Sequence, residues 1–350
     1  MNNRVVPVVL LALFVTCFVS SLAAGSLALI NAARSLADTV ELPAEPPPPN
    51  DEPVSSEPAP AEDREPEEAL APEPTPWQAP VSASGEFAIF HLAKAKVDPW
   101  RGLQKAVKGT KLKAFEGEAP DDAVPPYLVL HDLPVDDYAV ITGEALDTAW
   151  GLSAAQKKQL LGARRATVID FVLPLHDPSL REVTTVLASL AEATGGVLWD
   201  EECQEYFSLA EWKSRRAASW EKQVPHVAMF SGLREGDDGE LHTVGLAHLG
   251  LPELRLSHVA PEDRERAGSF LRLVAQQLVE SAAPVEPGSL MVRADAVTHR
   301  AARTAAQSEF ASGAARELLV TLEEPRDGSQ LLELVLAGGP GAGLVRFFGD

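Results

Sequence analysis

The segment Trp199-Asp200-Glu201-Glu202-Cys203 places three adjacent carboxylates and a thiol at the end of a predicted strand. Ligand sites of open sheets tend to lie at strand ends, and carboxylates there could bind a cation or act as acid and base. The alternative is a solvated turn before a helix that begins near Ser208. The charge of the neighbouring acids disfavours a thiolate at Cys203, so we do not expect a nucleophile.

Histidines form the second group of candidates. His242, His248 and His258 surround one segment, and a spacing of six could place the first two on one face of a strand. Glycines and a proline interrupt that strand, and no Cys or carboxylate stands at a recognised zinc spacing. Loop histidines are therefore the favoured interpretation, and we predict no metal and no cofactor. The candidate binding cleft consists of Trp199, Asp200, Glu201, His242, His248 and Glu253, and it depends on their convergence in space.

Two other motifs favour structure over chemistry. Trp212 and Trp220, with Arg215 and Arg216, fall on a helix predicted over 211–221, where core anchoring is favoured over a ligand platform. The glycine run 338–343 has no Gly-Lys-Ser/Thr after it, and too few residues remain for a helix that would hold a phosphate. We therefore interpret that run as a glycine turn or tail.

Residues 1–40 are predicted to be a membrane anchor or a signal segment. Residues 5–30 carry no charge, which is long enough to cross a bilayer. Ser21-Leu22-Ala23 offers the small residues that a signal peptidase cleaves after, so secretion after cleavage is the alternative. Because Arg4 and Arg34 flank the segment on opposite sides, orientation depends on a weak bias from the free amino terminus. We expect a single-pass protein of a bacterial inner membrane with its globular part on the periplasmic side.

Residues 41–84 are predicted to be a disordered linker. Within 41–80 there are thirteen prolines, eleven Asp or Glu and one Arg. Such a segment buries too little apolar surface to offset its ordering entropy. Proline and charge repulsion extend it, so a spacer between membrane and domain is favoured, with a proline-rich ligand for a partner domain as the alternative.

The net charge of −21 makes nucleic acid an unexpected partner. Residues 81–350 have 39 Asp or Glu against 27 Lys or Arg, and we identify no basic stripe that would reverse the repulsion of phosphates. The expected partners are the membrane, through residues 5–30, and a protein or cell-envelope component.

The globular part is predicted to be α+β, with ferredoxin-like layers of helices on a mixed sheet. Strands are predicted at 86–92, 127–131, 138–142, 166–173, 197–199, 224–231 and 241–246, with a C-terminal hairpin of 318–322 and 331–336. Helices are predicted to begin at Asp98-Pro99, Ser153, Asp177-Pro178 and Pro261. The predicted divisions are a first module over 85–163, a second over 164–285 and a hairpin region over 286–350. The repeated Asp-Pro helix starts suggest that the two modules are related.

Part of the sequence resembles a group of bacterial proteins of unknown function. The resemblance is carried by Gly195 to Asp200 (GGVLWD), Thr243 to Leu246 (TVGL), Gly250 to Leu254 (GLPEL) and Gln276 to Glu280 (QQLVE). It covers about residues 166–281, a third of the chain. The resemblance implies an α+β domain and assigns no catalytic residue.

These features predict a membrane-tethered extracytoplasmic domain with a binding role and no catalysis. The alternative is a metal-dependent or acid/base hydrolase that uses Asp200, Glu201 and Glu202 with a nearby histidine.

Overall fold

The computed structural model describes residues 77–93, 97–138, 141–311, 314–325 and 329–349. The predicted membrane segment and the linker as far as residue 76 lie outside these ranges, and so do residues 326–328, between the two strands of the predicted C-terminal hairpin. No helix within the described ranges has the length and apolar character needed to cross a membrane.

The first sheet of the described chain has the strand order β2-β3-β4-β1-β5-β6. Its strands are β1 (Ser82–His91), β2 (Lys113–Glu116), β3 (Tyr127–Pro134), β4 (Arg165–Pro174), β5 (Gly196–Asp200) and β6 (Glu205–Phe207). The central strand β1 is antiparallel to both of its neighbours, with Phe87 opposite Ile169 on β4 and opposite Asp200 on β5. Strands from the predicted 85–163 and 164–285 segments therefore share one sheet.

Helices cover both faces of this sheet. They are α1 (Pro99–Ala106), α2 (Gly143–Asp147), α3 (Ala154–Leu160), α4 (Ser179–Thr194) and α5 (Leu209–Trp212). Helices α1, α4 and α5 contribute to the main core, whereas α2 and α3 cover part of the opposite face with a smaller apolar cluster. Local signals set the helix starts: Asp98 accepts a hydrogen bond from the Arg101 N–H at 2.9 Å, and Ser153 forms the predicted capping box with Gln156.

The second sheet has the order β12-β13-β14-β11-β10-β9. Its strands are β9 (Gly232–Glu235), β10 (Leu241–Val244), β11 (Glu253–Leu256), β12 (Gly288–Arg293), β13 (Glu317–Glu323) and β14 (Leu331–Leu336). A short pair, β7 (Trp220–Glu221) and β8 (Val224–Pro225), precedes it, and the helices α6 (Arg264–Ser281), α7 (Arg300–Ser308) and α8 (Pro340–Phe348) accompany it. The pair β11 and β14 is parallel, whereas β13 and β14 form the predicted antiparallel hairpin. The protein is thus α+β with mixed sheets, as the sequence predicts.

One apolar core joins the two sheets. Phe87 of β1 and Leu254 of β11 belong to the same buried cluster. The connection is close at Gly250, where a Cβ would lie 2.5 Å from Leu175 Cδ2, and Gly250 also has a φ of +69°, which favours glycine. The loop between β10 and β11 therefore packs directly onto the first sheet.

Four expectations about local structure are wrong. The strand predicted over 138–142 is absent from its described residues, because Thr142 instead caps α2. The helix predicted over 211–221 ends at Trp212, and a π-helical turn (Lys213–Ala217) follows it. The strand predicted over 224–231 is limited to β8. The glycine run contains the start of α8, which Pro340 initiates and buried Leu344, Phe347 and Phe348 hold against the core.

Candidate functional site

Asp200 is fully buried at the end of β5 and pairs with an arginine. Arg216, from the π-helical turn, donates to Asp200 Oδ2 from Nε at 3.2 Å and from Nη2 at 2.8 Å. The Cys203 N–H donates to Asp200 Oδ1 at 3.1 Å. The two charged side chains are 0% and 3% exposed, so solvent does not reach the pair. Asp200 is a structural anchor inside the core, and the predicted solvated turn does not describe it.

His248 belongs to the same buried group. Its Nε2 lies 3.7 Å from Asp200 Oδ1, beyond hydrogen-bond distance, and its ring packs 4.8 Å from the ring of Phe87 and 5.6 Å from that of Phe171. Burial lowers the pKa of His248, opposed in part by the Asp200 charge, so the neutral imidazole is favoured at pH 7. The ring lies against the backbone of Gly85, where a Cβ would be 2.3 Å from His248 Cδ2.

Cys203 completes what we call the buried polar cluster, formed by Asp200, Cys203, Arg216 and His248. Its Sγ donates to the Phe230 carbonyl at 3.4 Å, and burial, followed by the Asp200 charge, raises the pKa of the thiol. The direction is the one predicted, although burial has the larger effect. A protonated, enclosed thiol is not a nucleophile.

Glu253 and His242 are not members of that cluster. Glu253 accepts hydrogen bonds from Thr243 Oγ1 at 2.6 Å and from the Leu246 N–H at 2.7 Å, so it holds the loop between β10 and β11. His242 Nδ1 lies 2.8 Å from Glu240 Oε1. The predicted convergence of all six cleft residues therefore does not occur: Asp200 lies beside His248, Trp199 contacts Glu201 elsewhere, and His242 and Glu253 belong to neither group.

Trp199 and Glu201 lie on the opposite face of the first sheet from Asp200, because successive side chains of a strand alternate. The Trp199 indole N–H and the Tyr138 hydroxyl both donate to Glu201 Oε2, the latter at 3.2 Å. The Trp199 ring packs on that of Tyr206 at 4.1 Å.

On this face we define the carboxylate row as Asp170, Glu86 and Glu201. Asp170 of β4 is the direct cross-strand partner of Glu86 on β1, and the Glu201 N–H donates to the Glu86 carbonyl at 3.3 Å. His131 Nε2 lies 3.0 Å from Asp170 Oδ2. All three carboxylates are partly exposed, so the row is accessible to a ligand, unlike the buried polar cluster.

The carboxylate row contains one carboxyl group, that of Glu86, whose pKa is raised. Burial raises the pKa of Glu86 to about 7, with further contributions from Asp170 and Glu201, while a hydrogen bond from Tyr138 opposes the shift. A carboxyl of that pKa exchanges a proton near neutral pH, which general acid/base chemistry requires. Within the described residues, no group of three or more His, Cys, Asp or Glu is arranged to hold a metal ion.

A cluster of exposed basic side chains lies on and after α1. The strongly negative net charge of the whole chain does not reveal this local excess of positive charge. We define the basic patch as Arg101, Lys105, Lys108, Lys111 and Lys113, all exposed. Residues 94–113 contain seven Lys or Arg against one Asp, and they include six of the ten lysines of the chain. We identified no basic stripe from the sequence, whereas the structure contains this exposed basic patch.

Several residues of these sites were absent from the predicted set. Asp170 interrupts an otherwise apolar stretch of β4, and Glu86 directly precedes the apolar stretch of β1, so the sequence does carry a signal for both residues. The burial of Arg216 was harder to predict, since it depends on a π-helical turn for which the sequence contains no local motif.

Comparison with known proteins gave no match to any family model, curated protein or solved structure.

Proposed function

We propose that this chain is a membrane-tethered binding domain that works outside the cytoplasm and recognises a protein or envelope component without catalysis. The observation that carries the proposal is the enclosure of the buried polar cluster. Asp200 and His248 are each 0% exposed, and Arg216 neutralises Asp200, so two of the groups on which the hydrolase alternative draws have no access to a substrate. The uncharged segment 5–30 and the acidic linker support the tether.

The test uses three forms of the protein in a strain that lacks it. One is the full chain, one lacks residues 1–30, and one carries a cleavable export signal in place of residues 1–40. If only the full chain corrects the defect of the strain that lacks the protein, a tethered extracytoplasmic role is supported. Full correction of the defect by the cytosolic form lacking residues 1–30 would overturn the proposal. Correction by the exported soluble form would show that attachment to the membrane is not needed for the role.

Orientation is tested separately by treating spheroplasts with protease. The proposal expects degradation of the globular part while the membrane is intact, with a cytoplasmic protein as the protected control. Protection of the globular part until detergent is added would show that it faces the cytoplasm.

We also propose a ferredoxin-like arrangement for the first sheet. The elements β1, α1, β3, β4, α4 and β5 follow one another in the chain, and the strands stand in the order β3-β4-β1-β5 across the sheet, as that arrangement requires. The relation between two modules and the resemblance to a bacterial group stay predictions.

A second candidate function is acid/base hydrolysis at the carboxylate row, and the pKa of Glu86 favours it. Hydrolysis of a panel of ester, amide and glycoside substrates by the full chain, lost in Glu86→Gln and retained in Glu192→Gln, would support it. The same panel without turnover, together with elemental analysis that finds no stoichiometric metal, supports the binding proposal.

A further inference from the structure

The basic patch stands out in a chain whose overall charge is strongly acidic. Outside residues 94–113, the range 81–350 contains 38 Asp or Glu against 20 Lys or Arg. None of the five patch side chains forms an ion pair with a carboxylate of the described residues. Glu182 is adjacent, but it accepts from the backbone N–H of Lys111 at 3.0 Å. The side chains of the basic patch are thus exposed cations that are not held in ion pairs within the described part of the chain.

An aromatic surface accompanies these charges. Trp100 is partly exposed and, with Gln104, Lys105 and Lys108, lines an open depression of about 480 Å³ beside α1. A tryptophan next to cationic side chains suits a ligand that combines apolar rings with carboxylates. Proline rings pack on aromatic side chains in the recognition of extended proline-rich segments.

The linker has this combination of chemistries. Residues 41–76 contain eleven Asp or Glu and twelve of the 28 prolines of the chain, in runs such as Glu65-Pro66-Glu67-Glu68. We infer that this acidic, proline-rich segment docks on the basic patch of its own chain, its carboxylates pairing with the lysines and its prolines packing on Trp100.

Reach does not prevent such docking. The linker joins the described chain at Trp77, and its 36 residues from 41 to 76 span on the order of 110 Å at about 3.1 Å per residue. A globular part of this size is about 50 Å across. Covalent linkage supplies an effective concentration in the millimolar range, so docking needs only weak individual contacts. An external polyanion lacks that advantage and is repelled by the rest of the surface.

Docking of this kind must be sensitive to salt. Exposed ion pairs are individually weak, and the screening length falls from about 10 Å at 0.1 M salt to about 3 Å at 1 M. The docked form therefore predominates at low ionic strength and releases as salt rises. The inference concerns the linker and the patch, and it holds whether or not the proposed envelope ligand exists.

The experiment is zero-length carbodiimide cross-linking of the full chain in detergent, followed by mass spectrometry, at 20 mM and 500 mM salt. We expect cross-links from linker carboxylates to Lys105, Lys108, Lys111 and Lys113 to exceed those to the exposed control lysines Lys158 and Lys222 at least fivefold. We expect that excess to disappear at 500 mM salt. A mixture of ¹⁵N-labelled and unlabelled protein identifies links within one copy.

Variants separate charge from the aromatic contact. Lys105→Glu with Lys108→Glu should abolish the excess at Lys111 and Lys113, whereas Lys157→Glu with Lys158→Glu, the same charge change on α3, should leave it intact. Trp100→Ala should reduce the excess without changing the charge. Circular dichroism checks that each variant is folded, and the salt series on the unmodified chain stands without them.

Three outcomes would overturn the inference. Equal cross-linking of patch and control lysines at 20 mM salt would show that the linker does not prefer the patch. Links mainly between labelled and unlabelled copies would make a second chain the occupant. Patch-dependent sedimentation of the full chain with phosphatidylcholine vesicles containing a quarter phosphatidylglycerol, without linker cross-links, would assign the patch to a lipid surface.

Discussion

The pair of Asp200 and Arg216 gives the sharpest test of the structure. Asp200→Ala removes the fully buried partner and leaves the Arg216 guanidinium, 3% exposed, with only the longer contact from its Nη2 to the partly exposed Glu205 Oε2 at 3.3 Å. Breaking a buried pair in this way costs about 3–5 kcal/mol of unfolding free energy. With a urea dependence of about 3 kcal/mol per molar, the unfolding midpoint should fall by roughly 1–2 M.

The double variant separates an unpaired charge from a lost side chain. Asp200→Leu with Arg216→Met replaces both charges by apolar groups, which is often neutral or stabilising for a buried pair, so it should recover at least half of the loss. As a control, Arg165→Met breaks the exposed pair with Asp132, where about 1 kcal/mol or less is expected.

Urea unfolding of the full chain, followed by tryptophan fluorescence, measures all three changes. The reasoning is refuted if Asp200→Ala unfolds within 0.3 M of the unmodified chain, or if the double variant is no more stable than Asp200→Ala.

Three further predictions concern packing and pH. Gly85→Ala places a methyl group against the buried imidazole and should cost about 1–3 kcal/mol in urea unfolding, whereas Gly143→Ala, where no atom lies within 4 Å, should be neutral. Burial, with His299 and Arg272 nearby, lowers the pKa of His226 to about 4, so the unfolded chain takes up its proton near pH 6.5 and the folded chain only near 4. Stability should therefore fall as the pH falls from 6.5 to 4, and His226→Phe should flatten that slope in thermal unfolding at stepped pH. The folded Glu86 holds its proton until about pH 7, whereas the unfolded one releases it near 4.5, so its contribution to stability should fall as pH rises between those values. Glu86→Gln should remove that fall. If the side-chain carboxyl ¹³C resonance of Glu86 in the unmodified chain titrates near pH 4.5, the prediction is contradicted.

The elements that could be predicted from sequence are those with long, uniform patterns. The strand at 166–173 is buried over most of its length, and the stripe of Val183, Val186, Leu187 and Leu190 on α4 is buried throughout, because a uniform pattern over eight residues outweighs local ambiguity. The stretch 211–231 defeated the same reasoning. Its elements are two to five residues long and are fixed by contacts across the core, such as the hydrogen bond from the Trp212 indole to the Thr184 carbonyl at 2.9 Å.

The candidate site separated for a related reason. Five consecutive residues suggested a single site, but side chains alternate along β5 and at the residue after it, so Trp199 and Glu201 lie on one face and Asp200 on the other. The predicted strand was sufficient to predict which of these side chains share a face. The side chains that contact Asp200 could not be predicted in this way, since Arg216 and His248 come from irregular segments whose burial depends on tertiary packing.

The central position of β1 also has a mechanical consequence. This strand follows the linker directly and is paired at nine positions with β4 and at five with β5. A load transmitted through the linker would therefore pull on a strand held along both edges, and extraction would have to break both ladders. A peripheral strand could be peeled away one bond at a time. The chain therefore joins its proposed tether at a strand that resists extraction.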